Sequence, residues 1–348
     1  MNTHNPLGLK GIQFVEFCSQ APERLEKLFY AFGFSKIAQH QDKNCALFTQ
    51  NEIQFLLNQD KSSFAASFEK QHGPCAPSMG WKVENAKQAH ATALQRGAKD
   101  ATTQDYYHKN GTKIPAIQGV GGSLIYFIED SSAADSLHAM GFHKLERPVA
   151  MPTKGFRRID HLTNNVEKGM LQTWASFYKD IFGFTEIRYF DIKGLKTGLI
   201  SFALQSPDKS FCIPINEGTE DKSQINEYLR EYKGPGIQHI AFLTDSILDS
   251  LAGMEQSGIE TLDIDADYYD EVFKRVPHVT EDKKEIQRRQ VLVDGDEEGY
   301  LLQIFTKNVI GPIFIELIQR KNHYSFGEGN FGALFRAIEK DQQARGTL

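Results

Sequence analysis

Three things are missing from this 348-residue chain: paired cysteines, a long apolar run and a surplus of basic charge. Cys18, Cys45, Cys75 and Cys212 are scattered with no Cys-x-x-Cys spacing. That argues against a zinc ribbon or a disulfide framework and leaves free thiols in a reducing cytoplasm as the expectation. No apolar stretch approaches the about 18 residues of a membrane span, so no membrane partner is expected. The opening residues lack the basic and apolar regions of a signal peptide. With a net charge of -6 and no basic stripe interleaved with aromatics, nucleic-acid binding is not expected either. Nor is there a His-Glu-x-x-His motif, the usual helical signature of a zinc hydrolase.

What the chain does hold is phenylalanine, 25 of them, and an internal repeat. Residues 26–37 resemble residues 174–187, and the triplets Phe32-Gly33-Phe34 and Phe182-Gly183-Phe184 align. In each copy an apolar strand (11–17 and 158–164) precedes an amphipathic helix, a glycine cap and a further strand. A looser pair matches the strand and helix of 79–97 with those of 237–258. More strands follow each, ending with 122–129 and 312–320. These spacings predict an α+β chain of four strand–helix–strand–strand–strand modules, two per domain. The first domain is expected over 1–150, with a linker over 147–153, and the second over 151–348. Apolar residues at 331, 334, 335 and 338 predict a C-terminal helix over about 328–345 that closes over the second domain.

The stretch 311–320 reads as a buried, β-branched strand, yet Glu316 sits in its middle. A carboxylate in a dry strand costs several kcal/mol unless a positive partner meets it. Arg320, of the same strand parity, is one candidate and a divalent metal is another. Of the eleven histidines, His4, His40, His72, His90, His108, His138 and His143 lie in polar surroundings and read as solvated imidazoles. His278 and His323 are weaker site candidates. His161 and His239 stand out because each lies inside an apolar strand. The repeat places Phe14 opposite His161, Ser78 opposite His239, and Tyr126 or Phe127 opposite Glu316, so the set belongs to one copy alone. Two histidines and one carboxylate with open positions suit non-haem Fe(II).

Beyond these three, the stretches Arg158-Ile-Asp-His161, Leu199-Ile-Ser201, Ile213-Pro-Ile-Asn-Glu217, Lys222-Ser-Gln-Ile225 and Gly236-Ile-Gln-His239 stand in one order. Leu301-Leu-Gln-Ile-Phe-Thr-Lys307, Phe314-Ile-Glu316 and Phe326-Gly-Glu-Gly-Asn-Phe331 follow them. In this set and order the chain resembles the 4-hydroxyphenylpyruvate dioxygenase family over essentially its whole length, within the vicinal-oxygen-chelate superfamily. The resemblance implies a glyoxalase/bleomycin-resistance-like fold with a non-catalytic first domain. It implies Fe(II) held by His161, His239 and Glu316, and conversion of 4-hydroxyphenylpyruvate and O2 to homogentisate and CO2 in tyrosine catabolism. Ser201, Asn216, Gln224, Gln238 and Gln303 are implied as polar residues of catalysis. Pro214, Phe305, Phe314, Phe326, Asn330 and Phe331 are implied as substrate contacts. Strand parity supports Phe314 beside Glu316 and Gln303 beside Phe305, whereas Gln238 has the opposite parity to His239 and needs a bend or bulge. A homo-oligomer is expected. The rival readings are hydroxymandelate synthase, which shares the triad and substrate, a glyoxalase-type isomerase or extradiol dioxygenase, and a non-enzymatic ligand-binding member of the fold.

Overall fold

Sixteen strands form the frame of the computed structural model, which describes residues 4–103, 105–108, 111–130 and 137–348. The first eight are β1 (Leu9–Cys18), β2 (Ser35–His40), β3 (Cys45–Gln50), β4 (Ile53–Asn58), β5 (Cys75–Val83), β6 (Ala116–Gln118), β7 (Leu124–Glu129) and β8 (Phe142–Val149). The second eight are β9 (Phe156–Val166), β10 (Thr185–Lys193), β11 (Gly198–Gln205), β12 (Cys212–Gly218), β13 (Gly236–Thr244), β14 (Leu292–Gly295), β15 (Tyr300–Phe305) and β16 (Phe314–Lys321). Each set forms one sheet, in the orders β6-β7-β5-β1-β4-β3-β2-β8 and β10-β11-β12-β9-β13-β16-β15-β14.

Both sheets are centred on an antiparallel pair, β1 with β5 and β9 with β13, flanked by parallel neighbours. The registers superimpose the halves residue by residue. The row His161–Ala241–Glu316 of the second sheet corresponds to Phe14–Gly80–Tyr126 of the first. The next row, Thr163–His239–Phe314, corresponds to Glu16–Ser78–Leu124. Tyr126, rather than Phe127, therefore occupies the place of Glu316. The first half is not free of buried acid, however. Glu16 lies one row along, where it accepts hydrogen bonds from Asn58 (2.7 Å), Ser78 and Tyr106.

Two elements differ from the sequence expectation. In the first half the second module contributes three strands in the predicted place, and its last strand, β8, crosses to the far edge to pair with β2. Residues 147–149, expected in a linker, finish that strand, because the free edge of β2 offers its backbone groups a ladder. Of the histidines expected at the surface, His40 and His72 are buried. His40 packs edge-on to Phe142, and His72 stacks on Phe68 while its Nδ1 meets the Tyr232 carbonyl at 2.7 Å. Both burials depend on partners far away in sequence.

The glycines of the two Phe-Gly-Phe triplets have φ of +84° and +81°, the left-handed conformation that ends each helix. The phenylalanines around them fasten the sheets together. Phe242 of β13 packs on Phe32 and Phe34 with ring centroids at 5.9 and 5.8 Å. In return Trp81 of β5 packs on Phe182 and Phe184 at 4.7 and 5.9 Å. A C-terminal helix, Phe331–Arg345, lies over the second sheet.

Candidate metal centre

β9, β13 and β16 are consecutive in the middle of the second sheet and present His161, His239 and Glu316 on one face. His161 Nε2 and His239 Nε2 lie 3.1 and 3.4 Å from Glu316 Oε2, and 3.3 Å from each other. The three donor atoms fall within 4.8 Å of one another, the one such group of metal-ligating side chains among the described residues. His161 and Glu316 are buried and His239 nearly so.

Each histidine is aimed by the residue before it, through a local break in the ladder. On β9 the register passes from Ile159 to His161 without pairing Asp160, and on β13 from Ile237 to His239 without pairing Gln238. These β-bulges put two adjacent side chains toward the same side, which a regular strand forbids. Asp160 Oδ1 then takes the Nδ1 of His161 and Gln238 Oε1 takes the Nδ1 of His239, both at 2.9 Å. With Nδ1 fixed as a donor, Nε2 is left free to face a metal. The bend that Gln238 required is thus present. The equivalent residue in β1, Gln13, is skipped in the same way, so the first bulge belongs to the fold and only its use is peculiar to the second half.

Arg320 does not neutralise Glu316. It forms two hydrogen bonds to Asp160 (2.8 and 2.9 Å), and Asp160 braces His161. Burial opposes the charge on Asp160, but Arg320 and His161 hold its carboxyl far below the usual range. Burial likewise opposes charge on His161, yet the Glu316 and Asp160 carboxylates lift it to about 9. Against the same desolvation, Glu316 is drawn down to about 2 by His161. His239, with a neutral amide behind it, is lowered by burial. An anionic oxygen, two oriented imidazoles and a cation-demanding centre match the donor set of a divalent transition metal.

The cavity in front of these atoms is lined by Thr163, Phe190, Ile192, Leu199, Ser201, Pro214, Asn216, Gln224, Gln238, Gln303, Phe305, Phe314, Phe326 and Phe331, and by Leu334, Phe335 and Ile338. Phe314 stacks on the His239 imidazole (4.8 Å, 17°) and Phe326 meets His161 edge-on at 5.5 Å. Ten of the pocket residues named from sequence are therefore at the wall. Asn330 is not: it is buried behind Gln303, to which it donates at 3.0 Å. Gln303 is at the wall, but its Nε2 is already taken by Glu316 Oε1 (3.0 Å) and the Phe326 carbonyl (3.2 Å). The amides with hydrogen-bonding capacity left are Asn216, Gln224 and the Nε2 end of Gln238, joined by long contacts of 3.4–3.5 Å. Thr163 was missed although its parity matches His161, and its hydroxyl lies 3.0 Å from His239 Nε2. Phe190, Ile192 and Leu199 were missed because they belong to a hairpin whose register the sequence leaves open. His278 and His323 do not line the cavity.

Comparison with known proteins identifies the family. Residues 3–143 match the family model described as hydroxyphenylpyruvate dioxygenase, HPPD, N-terminal. Residues 158–302 match that of the glyoxalase/bleomycin resistance protein/dioxygenase superfamily. Protein MelA of Shewanella colwelliana is 55% identical over 99% of both chains. A protein of Legionella pneumophila named 4-hydroxyphenylpyruvate dioxygenase is 43% identical over 100% of this chain and 99% of its own. A mutant of 4-hydroxymandelate synthase from Streptomyces coelicolor superposes with a TM-score of 0.84 at 22% identity, covering 96% of this chain and 99% of that one, a likeness of fold.

Proposed function

The chain belongs to the 4-hydroxyphenylpyruvate dioxygenase family, and on that premise we propose that His161, His239 and Glu316 hold Fe(II) and that the protein converts 4-hydroxyphenylpyruvate and O2 to homogentisate and CO2. The observation that carries this reading is the convergence of three ligand atoms on a cavity otherwise walled by aromatic and aliphatic side chains, hydroxyls and neutral amides. Fe(II), when bound, supplies chelation of the 2-oxo acid and activation of O2 at its open positions.

The chain's own part is placement. Phe305, Phe314, Phe326 and Phe331 hold the substrate ring by edge and offset contacts. Asn216, Gln238 and Gln224 are the groups with hydrogen-bonding capacity left for the phenol, and Ser201 and Pro214 complete that end. Gln303 and Asn330 instead fix the rotamer of Glu316. Asp160 and Arg320 keep His161 presenting Nε2. No side chain is assigned as a strong base, since the overall conversion takes up and releases no net proton and only a proton transfer within the site is required. Helix Phe331–Arg345 shuts water out.

O2 uptake with 4-hydroxyphenylpyruvate, with and without Fe(II), tests the reading. Uptake that requires iron and yields homogentisate by chromatography is expected. 4-Hydroxymandelate as product would place the chain with the sister reaction. His161→Ala, His239→Ala and Glu316→Ala are each expected to lose tight iron and turnover while staying folded. An active, iron-loaded Glu316→Ala protein would overturn the assignment. With this reading go three further proposals: residues 1–150 are non-catalytic, the enzyme works in the cytoplasm with its four thiols free, and it assembles as a homo-oligomer.

A further inference from the structure

The amide of Gln303 is one link in a longer chain. Its Oε1 accepts from Asn330 Nδ2, and the Oδ1 of Asn330 accepts from the Tyr268 hydroxyl (2.7 Å) and from Arg275 (3.3 Å). Arg275 donates to Asp294 (2.5 Å), whose other oxygen takes the backbone N–H of Gly329 at 3.0 Å. Hydrogen bonds therefore run without interruption from the ligand carboxylate of Glu316 to a guanidinium beside the edge strand β14. Both ends of the chain are also pressed by the segment that leads into the closing helix. At Gly327 a Cβ would stand 2.0 Å from Gln303 Oε1, and at Gly329 it would stand 1.4 Å from Arg275. Only glycine permits an approach that close.

We propose that Asn330, Arg275 and Asp294 are positioning residues that bolt segment 326–330, and with it the start of the closing helix, to the Gln303–Glu316 pair. The helix begins at Phe331, directly after Asn330. Lifting it at that end breaks the Asn330–Gln303 bond, frees the Gln303 amide to rotate and removes the donor from Glu316 Oε1. Closure over the substrate and the orientation of the metal's carboxylate are thus set by one device. The proposal rests on the metal reading above.

Asn330→Asp tests the inner end, because it keeps the acceptor for Tyr268 and Arg275 and deletes the donor to Gln303. Fe(II) affinity of the full-length apoprotein, measured by competition with a chelator, is expected to fall about tenfold or more, as for other groups that orient ligands. Arg275→Gln tests the outer end. It is expected to raise KM for 4-hydroxyphenylpyruvate about tenfold, the worth of one charge-assisted hydrogen bond, and to weaken iron binding in the same direction, though by less than Asn330→Asp does. Amide exchange over residues 326–331 is expected to quicken in both variants. Iron affinity and KM within twofold of the parent in both would overturn the bolt. Should the parent itself take up no iron, the metal reading fails, and exchange still decides the bolt: unchanged protection in Arg275→Gln overturns it.

Discussion

Glu16 occupies, in the first half, the row that carries Thr163 and His239 in the second. Burial lifts its carboxyl above the ordinary value, against the hydrogen bonds from Ser78, Tyr106 and Asn58. A raised folded value means that the folded chain holds the proton more tightly than the unfolded one. Its contribution to stability is then full below the ordinary carboxyl range and lost as pH rises through the folded value. Glu16→Gln keeps the shape and removes the titration. Thermal unfolding from pH 5 to 8 is expected to show a flatter profile and, at pH 8, a Tm about 2–4 °C above the parent. An unchanged or lower Tm at pH 8 would mean that the ionised carboxylate is welcome there. At this scale sequence reading reached His161, His239 and Glu316, because polar residues inside apolar strands stand out and the repeat supplied a comparison. It missed Glu16 because the comparison was made position by position. The buried acid had moved one row along the sheet, where strand parity keeps it on the same face.

The closing helix shows what a single element conceals. Its apolar spacing was legible, but the groups that fasten it were not, since each partner is remote in sequence. Glu339, 3% exposed, accepts from the backbone of Lys196 (3.1 Å) and of Thr197 (3.0 Å), capping the turn between β10 and β11. Three residues on, Gln342 donates to Glu227 at 2.7 Å, and Arg345 pairs with the same carboxylate. Glu339→Ala leaves the buried N–H of Thr197 unpaired, at about 1–3 kcal/mol. Steady-state kinetics should show KM raised several-fold with kcat changed less, and hydrogen exchange should quicken over 194–197. An unaltered KM would divorce the helix from substrate retention. The bulges at Asp160 and Gln238 were illegible for a related reason. Nothing local marks them, and only the need to turn Gln238 toward the site hinted at one. β8 is the same lesson again, since its partner strand lies a hundred residues earlier.

Across the whole molecule, the two Phe-Gly-Phe triplets that first betrayed the repeat turn out to be the receiving surfaces of a reciprocal exchange. Phe242 enters one and Trp81 enters the other. Both intruders are fully buried, and they stand at matched positions of β13 and β5. Phe242→Ala is expected to cost about 3–5 kcal/mol, as for other large aromatic truncations in a core, read by denaturant unfolding. Trp81 supplies a fluorescence reporter on the opposite contact. Because each sheet completes its neighbour's core with a ring of its own, neither can melt and leave the other whole. Heating should therefore give one calorimetric transition, with secondary structure and tryptophan emission lost together, and Phe242→Ala should lower it without splitting it. Two separated transitions in the parent would show that each half carries its own stability. The first half is, in that sense, a permanent chaperone of the half that gathers His161, His239 and Glu316.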